Sequence, residues 1–325
     1  MKTNNLSIRT LSIIALSIVT FNCSAKKKDT VPSSLYKTPE GQEIANKSYE
    51  KSMELWDVEY NEEYVETDYG KTHLITTGED KKPPLVILPG LFGDACMWFP
   101  NAGDLSKKYK LYLLDMPNYG GKSQPYGKAI TEFQDYVVWF KQILDYYQLD
   151  SVPVMGVSYS SWLALSLARE MPEKISSIVL LDPSETFMPM NGGIAWKGFK
   201  YFMFFPNRNK YAKFLDWLGG GFSNEKSEIW TEHMLDVIEY GSVKMFDVPM
   251  HHIYKAEDLE MINMPVLIMA GGKPILYDDP EVFKSNALNA IPHANVIIVK
   301  DAGHGLNMEK PYFVNNKIIE FLGTE

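Results

Sequence analysis

Apolar and polar positions alternate in blocks along this chain. Continuous apolar runs fall at residues 84–88, 111–114, 152–155, 178–181, 266–269 and 296–299. Runs of this length without polar alternation predict strands buried on both faces. Between them, residues 131–148, 160–170, 280–290 and 310–322 read as helices. In the first of these, Phe133, Val137, Phe140 and Leu144 recur at spacings of three and four, which makes one buried stripe. Residues 56–67 and 71–77 alternate apolar with polar around Tyr69-Gly70, the pattern of an antiparallel hairpin. Buried strands alternating with amphipathic helices imply the α/β class, with a mostly parallel central sheet flanked by helices.

One segment breaks the alternation. Residues 185–264 hold no buried-strand run and are rich in aromatics, among them Trp196, Tyr201, Phe214, Trp217 and Trp230. A structureless loop of that length is implausible in a compact domain, so a helical insertion is expected. Most of its aromatics should form its own core, and a minority would line an apolar cleft beneath a lid. The expected organisation is therefore a sheet-and-helix core at 57–184 and 265–325, with a helical cap at 185–264. Residues 31–56 read as a tether followed by one helix.

The N-terminus changes this picture by adding a segment outside the core. Lys2 and Arg9 precede an apolar stretch at 11–21 (LSIIALSIVTF), which is too short for a comfortable membrane span. Cys23 follows directly. Residues 1–30 thus resemble a bacterial lipoprotein export signal, in which Cys23 would carry the lipid. Thr20 and Asn22 depart from the usual lipobox, and an uncleaved anchor or an ordinary secretory peptide is the alternative. The expected location is the bacterial cell envelope through a lipid anchor, or otherwise a secreted or periplasmic one. Only one other cysteine exists, Cys96, expected to be a small buried residue. The net charge of −9 disfavours a nucleic-acid partner, which would need a basic face.

Candidate chemistry sits in the turns after the apolar runs. Gly156-Val157-Ser158-Tyr159-Ser160 has the form of a nucleophile elbow, a sharp strand-to-helix turn that projects the serine hydroxyl, with Ser160 in place of the second glycine. Leu88-Pro89-Gly90-Leu91-Phe92-Gly93 follows the first buried strand, where a glycine-containing turn can aim backbone amides at a developing oxyanion. Asp115 to Ser123 reads as a loop-shaping turn. Gly303-His304 follows the last strand, from which an imidazole can reach a serine on the same sheet edge as base and then acid. His251-His252 lacks the i, i+4 spacing that brings two ligands to one helix face, and no metal or cofactor is implied.

With these four motifs in this order, the chain from about residue 57 onward resembles the α/β-hydrolase fold superfamily. The resemblance implies Ser158 as nucleophile and His304 as general base, with the backbone amides of Leu91 and Tyr159 as the oxyanion hole. It also implies a carboxylate partner for His304, usually in a Gly-x-x-Asp pattern after the strand at 266–269. Here that stretch reads Gly271-Gly272-Lys273-Pro274, and proline cannot serve. Asp182, at the end of the strand at 178–181, is the preferred substitute because some α/β-hydrolases place their acid there. Asp278 or Asp279 is the alternative acid.

The expected activity is hydrolysis of small apolar carboxylic esters, carboxylesterase- or lipase-like. A serine at the elbow argues against haloalkane dehalogenase or epoxide hydrolase chemistry, which uses a carboxylate there. Thioesterases, carbon–carbon bond hydrolases and cofactor-free haloperoxidases share the motifs. A binding or signalling protein on a hydrolase scaffold is the alternative of a different class.

Overall fold

A computed structural model describes residues 34–202, 207–221, 223–242 and 247–323. The expected export segment and Cys23 lie outside the described residues. The chain enters as helix α1 (Pro39–Met53), whose N-terminus is capped by the Thr38 side chain accepting from the Gly41 amide. The hairpin β1 (Tyr60–Thr67) and β2 (Gly70–Thr77) follows. Strand β1 starts four residues later than the alternation suggests, since Trp56 is taken up by the core and bonds through its indole N–H to the Cys96 carbonyl at 3.3 Å.

The remaining elements are β3 (Pro84–Leu88), α2 (Phe99–Ser106), β4 (Lys110–Leu114), the two-residue β5 (Gln124–Pro125), α3 (Phe133–Tyr146), β6 (Val152–Val157), α4 (Tyr159–Glu170) and β7 (Ile175–Leu181). Among the described residues, the segment expected to lack strands then forms the α-helices α5 (Gly192–Phe202), α6 (Arg208–Leu218) and α7 (Glu225–Tyr240). The chain ends with β8 (Val266–Gly271), α8 (Pro280–Ala290), β9 (Asn295–Val299), the single turn α9 (Leu306–Glu309) and α10 (Pro311–Leu322).

The strands form one sheet in the order β1-β2-β4-β3-β6-β7-β8-β9, with β5 paired to β2. Pairing is antiparallel through β1, β2 and β4, and parallel from β4 to β9. The period of two divides each central strand between two cores. Val86, Val154, Ile178 and Ile268 pack with side chains of α3, α4 and α8 on one face. Ile87, Met155, Val179 and Leu267 pack with α1, α2 and α10 on the other. Each such side chain taken fully from water contributes about 1.5–3 kcal/mol, which is why the uninterrupted apolar runs are the strands.

The segment read as a tether is part of the fold from Ser34 onward. Leu35 and Tyr36 are buried, Tyr36 forms an isolated bridge with Gly241, and the Tyr36 hydroxyl donates to the Gly121 carbonyl at 2.9 Å. Helix α1 packs on α7, and a buried hydrogen-bonded line ties both to the core: Ser48 Oγ to His233 Nδ1 at 2.9 Å, then His233 Nε2 to Asp94 at 2.6 Å. No helix among the described residues is long and apolar enough to cross a membrane.

Candidate active site

Parallel strands deliver their C-terminal ends to one edge of the sheet, and four turns meet there. The first is the turn from β6 into α4. Ser158 sits at φ 57°, ψ −122°, a backbone conformation that costs a residue with a side chain of order 1–3 kcal/mol and persists only when its surroundings hold it. The Ser158 amide donates to the Leu181 carbonyl at 2.8 Å, and the Ser161 hydroxyl reaches both the Gly156 and Leu181 carbonyls at 2.8 and 3.0 Å. Gly156 is required because a Cβ there would stand 2.1 Å from the Ser160 carbonyl oxygen. Ser160, where a second glycine is usual, is fully buried and donates to the Pro89 carbonyl at 2.5 Å. Its hydroxyl fastens the elbow to the turn after β3.

Asp182 follows β7 with φ 43°. Its amide donates to the Met269 carbonyl at 2.7 Å, and its Oδ1 accepts from the Gly271 amide at 2.9 Å, so both carboxylate and backbone are aimed. Oδ2 stands 2.5 Å from His304 Nδ1, and His304 Nε2 stands 2.9 Å from Ser158 Oγ. The Asp182 and His304 side chains are only 5% and 11% exposed, so little water competes for these bonds. The turn carrying His304 can approach because Gly271 has no side chain: a Cβ would lie 2.4 Å from the Gly303 carbonyl oxygen. The Gly303 amide donates to both carboxylate oxygens of Glu309, at 2.9 and 3.0 Å.

The structure thus brings Ser158, His304 and Asp182 into one line. It does not bring Asp278 or Asp279 there. Asp278 is exposed, and Asp279 caps α8 by accepting from the Glu281 and Val282 amides at 2.9 and 3.4 Å. Pro274 lies in the exposed turn after β8. Glu309 and Ser161 were not singled out from sequence, although Glu309 lies only five residues past the histidine in the same motif.

Leu91 and Tyr159 border the same cavity as Ser158 and His304. Tyr159 is the first residue of α4, so its amide has no carbonyl one turn earlier to serve, and the helix dipole adds partial positive charge at that end. The Tyr159 phenol is turned away into the core, donating to the Pro249 carbonyl at 2.7 Å, and burial raises its pKa.

The cavity measures about 1270 Å³ and is walled mainly by apolar side chains, including Met190, Ile194, Leu215, Leu218 and Ile238 from 185–264. His251 and Glu185 interrupt this lining, with His251 Nε2 2.9 Å from Glu185 Oε2. Burial pulls the His251 imidazole below its usual range against the raising effect of Glu185.

Among the described residues, one buried group offers metal-ligand atoms: Asp94, Cys96 and His233. The three are bonded to one another instead, Asp94 to His233 at 2.6 Å and the Cys96 thiol to Asp94 at 2.7 Å. At zinc bond lengths of about 2.0–2.3 Å, tetrahedral ligand atoms stand more than about 3 Å apart, so this cluster would have to open to take an ion. Burial and the Asp94 charge push the Cys96 thiol up, the opposite of a reactive cysteine.

Comparison with known proteins agrees with this architecture. The α/β hydrolase fold family matches residues 83–235. An uncharacterized carboxylesterase, nap, of Bacillus subtilis (strain 168) is 28% identical over 288 residues, covering 86% of this chain and 92% of that protein. Carboxylesterase YbfK of the same strain is 26% identical over 279 residues, covering 85% and 92%. Among solved structures, Bacillus subtilis carboxylesterase CesB (YbfK) superposes with a TM-score of 0.80 at 25% identity, covering 88% of this chain and 99% of that one. Bacillus subtilis naproxen esterase gives 0.77 at 26% identity with the same coverage. The protein described here is a hydrolase with the α/β-hydrolase fold.

Proposed function

We propose that the protein is a carboxylesterase acting on apolar esters through Ser158, His304 and Asp182. The observation that carries this reading is the hydrogen-bonded line from Asp182 through His304 to Ser158 at the wall of a large apolar cavity. The carboxylesterase relatives point to the same chemistry.

In this reading Ser158 Oγ attacks the ester carbonyl carbon while His304 Nε2 takes its proton. The carbonyl oxygen becomes an oxyanion and accepts from the Leu91 and Tyr159 amides. The carbon–oxygen bond to the alcohol breaks as His304 returns the proton to that oxygen. Water then gives a proton to His304 and attacks the acyl carbon, and Ser158 leaves with the proton. Asp182 accepts from His304 Nδ1–H throughout and stabilises the imidazolium. Helices α5–α7 act as a lid whose apolar side chains bind the non-reacting part of the substrate.

A series of p-nitrophenyl esters of increasing acyl length tests the substrate class. The expected result is a kcat/KM that rises from acetyl to medium chains, because each buried methylene contributes about 0.8 kcal/mol. A flat or falling series contradicts an apolar acyl site. We also infer, from the sequence at 1–30 alone, that the chain is exported and lipid-anchored at Cys23. Detergent phase partitioning should then separate wild type from Cys23→Ala, and identical partitioning contradicts the anchor.

A further inference from the structure

Charge is unevenly distributed in this chain. The whole carries −9, yet residues 192–215 hold five basic side chains, Lys197, Lys200, Arg208, Lys210 and Lys213, and no carboxylate. Helical periodicity sorts these residues. On α5, Ile194 and Gly198 line the cavity, whereas Trp196, 65% exposed, and exposed Lys200 stand on the opposite side of the helix. On α6, Ala212 and Leu215 line the cavity and exposed Lys213 stands opposite.

The two helices meet along a flank of this face. Half-buried Lys197 Nζ of α5 lies 4.7 Å from the centroid of the half-buried Trp217 ring of α6, and within α5 Lys200 Nζ lies 5.4 Å from the ring of Tyr201. Arg208 is engaged elsewhere, with Glu232, Asp236 and Glu239 of α7 at 2.6, 2.7 and 3.1 Å. What faces outward is therefore a surface of lysines interleaved with indole rings. That pairing suits one environment: an indole settles at headgroup depth, while a lysine lays its stem along apolar matter and extends its ammonium to phosphate.

We propose that the outer face of α5 and α6, centred on Trp196, Lys197, Lys200 and Lys213, is a docking surface for an anionic phospholipid bilayer. Docking there would set the cavity behind these helices close to the membrane. The inference depends neither on the chemistry at Ser158 nor on lipidation of Cys23.

The full chain should be co-sedimented with vesicles of phosphatidylcholine, with and without phosphatidylglycerol, as wild type and as the triple variant Lys197→Glu/Lys200→Glu/Lys213→Glu. All samples are made on a common Cys23→Ala background, so no lipid anchor saturates binding and the charge of the N-terminal segment is shared. Partition of wild type should be stronger on the anionic vesicles and should weaken with salt. The triple variant should lose at least about tenfold on anionic vesicles, since each lysine near such a surface contributes roughly fivefold. It should match wild type on phosphatidylcholine alone. Lys200→Gln and Trp196→Ala, at exposed positions that leave folding intact, should each weaken anionic binding by a smaller factor. Equal partition of wild type and variants on anionic vesicles, or no preference of wild type for them, overturns the proposal and leaves the lysines to an acidic protein partner.

Discussion

At the scale of single residues, the candidate site turns on which carboxylate holds His304. Asp182 Oδ2 bonds Nδ1 while Oδ1 is fixed by the Gly271 amide, so this aspartate orients the ring and fixes its tautomer. Asp279 instead serves helix α8 as its N-cap. Asp182→Asn should lower kcat by about 10⁴-fold, the scale seen when a triad carboxylate becomes an amide. Asp279→Ala should leave kcat near wild type and cost about 1 kcal/mol of stability through the lost cap. Steady-state kinetics and denaturant melts on both variants separate the two roles. The reverse pattern would mean that the acid lies on the loop after β8.

At the scale of elements, the loop after β4 shows how a buried charge network shapes the turns beside the site. Asp115 accepts from the Ala95 and Lys122 amides, both at 2.8 Å, and pairs with His73 Nδ1 at 2.7 Å, while Glu62 meets His73 Nε2 at 3.1 Å. Burial pulls the His73 pKa down, but Asp115 and Glu62 together outweigh it and raise it to about 9. Glu62, bonded to His73 and Lys122, is held down to about 2. A folded pKa above the unfolded value of about 6.5 means that protonated His73 stabilises fully below pH 6.5, and the contribution is lost as pH rises through 9. The shift corresponds to roughly 3 kcal/mol. Unfolding free energies between pH 6.5 and 9.5 should therefore fall by an amount that His73→Gln largely abolishes. Parallel profiles would contradict the ion pair.

The same elements show what a sequence can carry. The inner parallel strands are legible because burial on both faces removes the polar alternation, whereas the apolar run at 296–299 forms the half-buried edge strand β9, and α8 is legible because Asp279-Pro280 is a capped start. The ends are less so: β7 begins at Ile175, before its apolar run, because Ser177 is buried yet polar. Helix α2 (FPNAGDLS) has too short a stripe to announce itself. Ser158, His304 and Asp182 stand out because each follows an apolar strand run. The bracing contact of Ser160 arises only when distant turns meet, whereas Glu309 holds the Gly303 amide within one turn.

At the scale of the whole molecule, α5 and α6 separate a cavity with apolar walls from a basic, indole-bearing exterior, although the chain as a whole is acidic. Both surfaces come from the same helices, one side of each turned to the site. The site as a whole is expected to drive a serine nucleophile. Intact-mass analysis after incubation with a fluorophosphonate tests it most directly, because the reagent reports nucleophilicity without a guessed substrate. One covalent adduct should form on wild type and map to Ser158, form far more slowly on Asp182→Asn, and be absent from a folded Ser158→Ala variant. A wild-type protein that stays unlabelled, or a label that persists in Ser158→Ala, would contradict the account.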